Sequence, residues 1–363
     1  MTLDETTEII AFGMTEGVGP STARKLLQQF GSVHDVLSAS GVRLRQLGFS
    51  EKLINGLKDK TVRALARKEA EHLLNAGGRA VVIGQPGYPS RLSGCPDAPV
   101  VLFIKGLPDL DAPRMVSIVG TRRATHYGQE VCRALVQELA IYKVSIVSGL
   151  AFGIDIVAHR AALDQGLPTV ACLAHGLDRI YPKEHYRDAL AMLDAGGWVS
   201  EFAHGTAPSR EHFPSRNRVI AGLSDCTVVI ESDRKGGSII TARLAASYHR
   251  EVFAIPGDIR NTLSNGCHML IRRLEAQLIT HGSQIARELG WEREMEQLQL
   301  RMPIGLEPDQ ALVAEVLQQR GPTHLDELGF YCAELGSRLS FTLLQMELLG
   351  IVKHLPGQRY SLS

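Results

Sequence analysis

From residue 78 onward, short β-branched runs alternate with stretches of helical periodicity, and nothing else in the chain limits its possible folds so strongly. The runs fall at 80–84, 100–105, 115–120, 144–149, 169–174, 198–201, 227–231 and 252–256. Helical patterns lie between them, among them 127–142, 153–165, 216–223 and 238–250. Strands that are apolar at nearly every position need cover on both faces, so they belong to a parallel sheet with helices above and below. The expected core, over residues 78–285, is a Rossmann-like doubly wound, mostly parallel α/β sheet. In such a sheet ligands sit beyond the carboxyl ends of the strands.

The flanks read differently. Residues 1–77 are helical. Gly17 and Gly19 make a tight turn, Pro20 suits a first helical turn, and Ala23, Leu26, Leu27 and Phe30 form an apolar stripe. This predicts a SAM-like or helix-hairpin-helix domain, and a single hairpin favours an ordinary Gly-rich turn in a small bundle over one that offers N–H groups to phosphate. A charged stretch, 286–307, reads as a linker. Residues 308–363 read as three helices and two short strands about Pro356-Gly357, the pattern of a winged helix. Its second helix carries Asp326 and Glu327, and its third only Arg338 before an apolar run, so a packing or interaction role is expected rather than groove reading.

A chain of 363 residues has room for two or three such domains. Its formal net charge is zero, so any attraction for nucleic acid must come from local clustering. The six cysteines form no CxxC pair and sit among apolar neighbours, which predicts buried free thiols rather than disulfides or a zinc site. No basic segment followed by a long apolar run opens the sequence, and no stretch approaches a membrane span. A cytoplasmic protein is expected.

Three strand-to-helix turns have the grammar of an anion cradle. In the first, Arg122 and Arg123 directly follow the strand ending at Gly120, near a helix N-terminus whose free N–H groups and dipole favour anions. Arg122, next to the turn, is the one expected to face the cleft. In the second, Gly149 and Gly153 let backbone approach a ligand closely. Asp155 and His159 lie four apart on one helical face of this segment, and a structural pair is preferred to an acid/base pair. The third turn is Lys235-Gly236-Gly237-Ser238, with Ser238 as the expected N-cap. A helix starting near Arg216 adds Arg216, Asn217 and Arg218. One arginine is expected to face the cleft while the other pairs with an acid such as Glu231, and all three residues are expected to shape the pocket more than to touch what it holds.

The spacing matches neither GxGxxG nor GxxxxGK[ST], so neither a dinucleotide nor ATP hydrolysis is supported. No nucleophile elbow or HExxH is present, and the chain is not expected to be an enzyme. No cofactor or metal is expected either.

At these residues the chain resembles the DNA-processing protein A family, also called Smf. The likeness runs through 117–122, 147–150 with Gly153-Ile-Asp155, 158–160, 176–178, 181–182, 200–201, 213–224, Gly237-Ser238 with Thr241-Ala242, 253–257 and 264–271. It implies a protein that binds single-stranded DNA without sequence preference. Such a protein protects incoming DNA, loads RecA recombinase during natural transformation, and dimerises through the Rossmann-like domain. It also implies that Arg122 and Lys235 contact phosphate, with the backbone at Gly149–Gly153 and Gly236–Ser238 completing the pocket and Ile239 nearby as an apolar contact. Phe152 stands where many members carry arginine, which removes a cation and offers an aromatic ring for base stacking. The runner-up is a phosphoribohydrolase-like enzyme of the lysine-decarboxylase-like Rossmann group. Its Pro-Gly-Gly-x-Gly-Thr turn and trailing acid are absent here.

Overall fold

The computed structural model describes residues 2–291, 306–349, 351–355 and 357–362. Two compact units divide the chain, Met1–Arg293 and Glu294–Ser363. Most of the expected 286–307 linker lies outside the described residues.

The first unit is built on a nine-stranded sheet of β1 (Gly78–Val82), β2 (Val101–Gly106), β3 (Met115–Val119), β4 (Ser145–Ser148), β5 (Thr169–Leu173), β6 (Gly197–Ser200), β7 (Cys226–Val229), β8 (Glu251–Ala254) and β9 (Gln277–Leu278). The strand order is β1-β2-β6-β5-β4-β3-β7-β8-β9. From β6 to β9 every pairing is parallel, while β1 and β2 extend the β6 edge antiparallel. Each predicted run forms a strand. Of these nine, the two-residue β9 had no sequence signal, because its residues are exposed and too few to show a pattern.

Period-two alternation explains why these runs look uniformly apolar. On β3, Val116 and Ile118 face one core with the helices His126–Leu139 and Ile154–Asp164, while Met115 and Val119 face the other with Val219, Ile220, Ile239 and Ala242. Both faces are buried, so no position is left to be polar except Ser117, whose hydroxyl lies 2.6 Å from that of Thr227 on neighbouring β7.

Six helices precede the sheet, from Leu3–Met14 to Lys60–Asn75. Ile10, Phe12, Leu26 and Leu44 belong to the same core cluster as β1 and β2. The boundary expected at 77 is therefore a change of architecture and not a gap between cores.

The sheet's order fixes where a ligand goes. The chain winds from β3 outward through β4, β5 and β6, then returns to place β7, β8 and β9 on the other side of β3. The connections after β3 and β7 thus diverge, and a crevice opens between them at the carboxyl edge.

The second unit contains the helices Pro308–Arg320, Leu325–Tyr331 and Leu339–Leu348. A three-stranded antiparallel sheet completes it, in the order β10 (Thr323–His324), β12 (Arg359–Leu362), β11 (Val352–Leu355). The three helices and the two closing strands lie where the sequence reading put them, and the two-residue β10 between the first two helices was not expected. Arg338, the one cation noted before the third helix, is paired with Asp309 at 2.7 Å. Phe341, Leu344 and Leu348 are exposed along that helix.

Candidate nucleic-acid interface

The crevice between β3 and β7 holds a cavity of about 360 Å³. Three turns wall it. Gly120, Thr121, Arg122 and Arg123 follow β3; Ala151 and Asp155 follow β4; Ser232, Asp233, Gly236, Gly237 and Ser238 follow β7. Phe213, Arg216 and Asn217 close it from the helix His212–Leu223.

The turns hold one another. Gly153 adopts φ +78°, the left-handed region, and a Cβ there would collide with the carbonyl of Thr121. Thr121 N–H in turn donates to Glu231 O at 2.7 Å, and Ile154 N–H donates to Thr121 O at 3.2 Å. Leu150, fully buried, also sits at φ +58°. The crevice is therefore fixed by backbone contacts before any ligand arrives.

Arg216 is 4% exposed, and its guanidinium donates to Gly149 O and, at 2.9 Å, to Cys172 O. It ties the ends of β4 and β5 together. Burial lowers its pKa, and Asp155 opposes that shift. Burial raises the Asp155 pKa against the pull of Arg216 and of the N–H groups of Ala151 and Gly149. The pair is a strut beneath the cavity. The Arg216 Nε has no protein partner.

Arg122 takes a different place. Exposed, it stands over the Phe213 ring at 4.7 Å, with the Arg216 guanidinium 5.9 Å from the same ring. Sequence reasoning missed Phe213. Its only signal was an aromatic three residues before a conspicuous arginine. Arg123 is exposed on the same cavity wall. Lys235 is exposed on the turn that leads into it.

The third turn delivers a helix N-terminus. The helix Gly237–Ser247 is capped by no side chain, and a Cβ placed on Gly237 would meet open space. Gly236, Gly237 and Ser238 line the cavity together with Arg122 and Arg123, and a helix start beside cations suits a phosphate oxygen. Asp233, exposed on the same wall, restricts how many charges an anion can bring.

Several expectations need correction. The helix carrying Arg216 starts at His212, a turn earlier than predicted, so Arg216 is interior and offers no helix end to an anion. Arg218 lies outside the cavity, paired with Glu201 and the carbonyl of Asp97. Glu231 pairs with neither arginine. It accepts from the N–H and hydroxyl of Thr125 at 2.9 and 2.6 Å, anchoring the start of His126–Leu139. Asp155 and His159 do not form a pair. His159 is fully buried, bonds Thr169 Oγ1 at 2.7 Å, and has its pKa pushed down by burial to about 3. Ser238 is not the N-cap, which is Gly236. The Ser238 hydroxyl donates to Ser232 at 2.7 Å. Ile239 is 3% exposed and belongs to the core, so it offers no ligand surface. Asn217 is buried, and its amide donates to Gly237 O at 3.4 Å. Phe152 is exposed, and Gly149 and Gly153 stay on the turn beside it.

Among the described residues, no group of three His, Cys, Asp or Glu side chains is placed to hold a metal. All six cysteines are unpaired and buried. No helix of these residues is long and apolar enough to cross a membrane.

Comparison with known proteins bears on the same segments. Residues 79–290 match the family model of DNA recombination-mediator protein A. Residues 14–60 match a SAM-like helix-hairpin-helix tandem, so two hairpins stand where sequence reading saw one. The Protein Smf of Synechocystis sp. is 31% identical over 389 residues, covering 97% of each chain. The crystal structure of DNA processing protein A from Streptococcus pneumoniae superposes with TM-score 0.64 at 34% identity, over 78% of this chain and 98% of that one. DNA processing protein A from Helicobacter pylori, studied for its single-stranded DNA binding mode, superposes with TM-score 0.53 at 31% identity, over 58% of this chain and 95% of that one.

Proposed function

The chain belongs to the DNA recombination-mediator protein A family, and from that premise we propose that it holds single-stranded DNA in the crevice between β3 and β7. One observation carries the reading. Arg122, Arg123 and the open N-terminus of Gly237–Ser247 converge on a cavity of about 360 Å³ whose walls are braced from below by Arg216 and Asp155. Cations and N–H groups aimed at one space recognise phosphate, which every nucleotide carries, so binding is indifferent to base sequence.

The protein holds the strand and does not cut it. Asp155 is committed to Arg216 and to backbone N–H groups, and the His159 ring is buried against Thr169, so neither is free to move a substrate proton. By likeness to the family, it acts in the cytoplasm as a homodimer through the sheet domain. There it protects incoming strands and passes them to RecA recombinase in natural transformation. Lys235 adds a further phosphate contact from the turn.

Titration of labelled oligo-dT at several salt concentrations tests the reading. If about four phosphates are neutralised, log K falls with log salt at a slope near −3. A flat response would sink it.

A further inference from the structure

We infer that residues 91–99 form a brace that sets the width of the crevice from behind, and that Arg24, in the helical region, holds this brace as a positioning residue for strand binding. The inference rests on the reading above and adds to it a part that touches no nucleotide.

Residues 94–99 include Pro96 and Pro99 and form neither helix nor strand. Such a segment has no ladder of its own, so its carbonyls must find partners elsewhere. They find them in side chains from separate parts of the chain. Arg24, on the helix Pro20–Phe30, donates to Ser93 O at 2.9 Å, Cys95 O at 2.5 Å and Pro96 O at 3.5 Å. Arg218 donates to Asp97 O. Arg250 donates to Arg91 O at 3.0 Å, and the Tyr88 hydroxyl to Pro99 O at 2.6 Å. Two prolines of fixed φ and carbonyls pinned from several sides make a stiff piece.

The brace meets both helices that wall the crevice, at points away from the cavity. On His212–Leu223, Phe213 and Asn217 reach the cavity, while Arg218 bonds Asp97 O. Gly222, later on that helix, packs so closely that an added Cβ would lie 2.6 Å from Leu92 Cδ1. On Gly237–Ser247, Gly237 and Ser238 line the cavity, while Tyr248, just past the last turn, donates to the Asp97 carboxylate at 2.6 Å. Asp97 therefore joins the two helices, one through its backbone oxygen and the other through its side chain. At the cavity end they are joined by a longer bond, from Asn217 to Gly237 O at 3.4 Å. From Gly237 to Tyr248 the helix runs about 16 Å, and a stiff rod carries a tilt at one end to the other. The spacing at the cavity is thus set behind it. Arg24 ties this arrangement to the helical region, which gives that region a part in gripping the strand.

Two measurements on the full chain keep the brace and the phosphate reading apart. In the first, spin labels on Glu211→Cys and Ile240→Cys report the separation of the two helices near the cavity. Both positions are exposed, and all six native cysteines are buried. Labelled protein is diluted with unlabelled chain, so that only distances within one molecule count. Arg24→Ala and Tyr248→Phe shift or broaden the distance distribution. Asp97→Asn, which keeps an acceptor for the Tyr248 hydroxyl, leaves it as in wild type. The second measurement is oligo-dT affinity by anisotropy, well below the melting temperature. Arg24→Ala and Tyr248→Phe each lose roughly 2- to 30-fold. The slope of log K against log salt stays that of wild type, because no phosphate contact is removed. Arg24→Lys regains part of the loss, since Ser93 O and Cys95 O are both served by one nitrogen of Arg24. Unchanged distances in both variants, or altered distances with unchanged affinity, would overturn the brace. So would a salt slope shallower by one phosphate. If wild type binds no oligo-dT, the phosphate reading fails, and the distances alone decide whether residues 91–99 set the crevice. Tyr248→Phe removes a single oxygen, so the test holds even where Arg24→Ala does not fold.

Discussion

The floor and the rim of the crevice between β3 and β7 are both built with arginine, yet the two arginines are placed for different work. Arg216 on the floor is 4% exposed, spends its donors on Gly149 O and Cys172 O, and faces the buried Asp155 carboxyl. Arg122 on the rim stacks on Phe213 and lines the cavity. Burial separates the roles. A guanidinium out of water is held by the carbonyls and the carboxylate around it, and one at the surface can offer its donors to a ligand. Substitutions on the floor should therefore act through folding, and those on the rim through binding.

The largest effect is expected at Arg216. Arg216→Ala leaves the Asp155 carboxyl buried without its cation and removes the tie between β4 and β5. Loss of one partner of a buried pair costs about 3–5 kcal/mol. Denaturant unfolding of the purified variant should show that loss. Arg216→Lys should recover part of it, because Gly149 O and Cys172 O are both bonded by a single guanidinium nitrogen, Nη1, and one ammonium can serve both. A stable Arg216→Ala protein with weakened DNA binding would reverse the roles assigned to floor and rim.

Gly153→Ala comes next. The residue sits at φ +78°, and an added Cβ meets the Thr121 carbonyl. Left-handed strain and the collision together cost about 2–4 kcal/mol. Because the same movement displaces the turn carrying Phe152, affinity for oligo-dT should fall in step with the melting temperature. A variant that melts like wild type but binds poorly would mean that the turn is not braced as described.

His159 gives the floor a pH signature. Its folded-state pKa lies near 3, below the usual 6.5, because burial disfavours the charged ring. The unfolded chain therefore takes up the proton first as pH falls. The stabilising contribution is complete above about pH 6.5 and is lost on acidification at up to about 1.4 kcal/mol per pH unit, until the folded ring itself titrates. Between pH 6.5 and 5, before most carboxylates titrate, unfolding midpoints should drop in wild type and stay flatter in His159→Asn. Equal slopes in the two proteins would remove His159 from the account.

The floor and rim differ in how well they could be read from sequence. The sheet was legible because each strand is buried on both sides, which leaves a continuous β-branched run that few other structures tolerate. The three turns of the cavity were legible for a similar reason, since glycines and cations at strand ends have few alternative uses. The division of labour among the cations was legible in outline, since Arg216, Asn217 and Arg218 were expected to shape the pocket, but their partners were not. The partners depend on a helix starting at His212 rather than near Arg216, and a shift of one turn decides which side chains face inward. Pro214 in its first turn was compatible with the earlier start, but proline marks the first turn only loosely. Ser238 and Ile239 misled in the same way. Both occupy a turn that looks like a ligand loop, yet Ser238 is drawn to Ser232 and Ile239 to the core by neighbours distant in sequence.

The smallest effect on stability belongs to the rim, where the comparison can be made most sharply. Arg122 contributes one stacking contact with Phe213 and no hydrogen bond that holds the fold together. Arg122→Ala should therefore unfold within about 0.5 kcal/mol of wild type. Its oligo-dT affinity should nonetheless fall about tenfold or more, the scale of a lost charge-assisted hydrogen bond. The loss should be similar for every base composition, since the contact is to phosphate. The slope of log K against log salt should also become shallower by about 0.7, one phosphate's worth on a single strand. Lys235→Ala should do the same. Combining the two should add both the affinity losses and the slope changes, if each cation meets its own phosphate. Should the double variant lose no more than either single one, the two cations serve one phosphate between them, and the rim grips the strand at a single point.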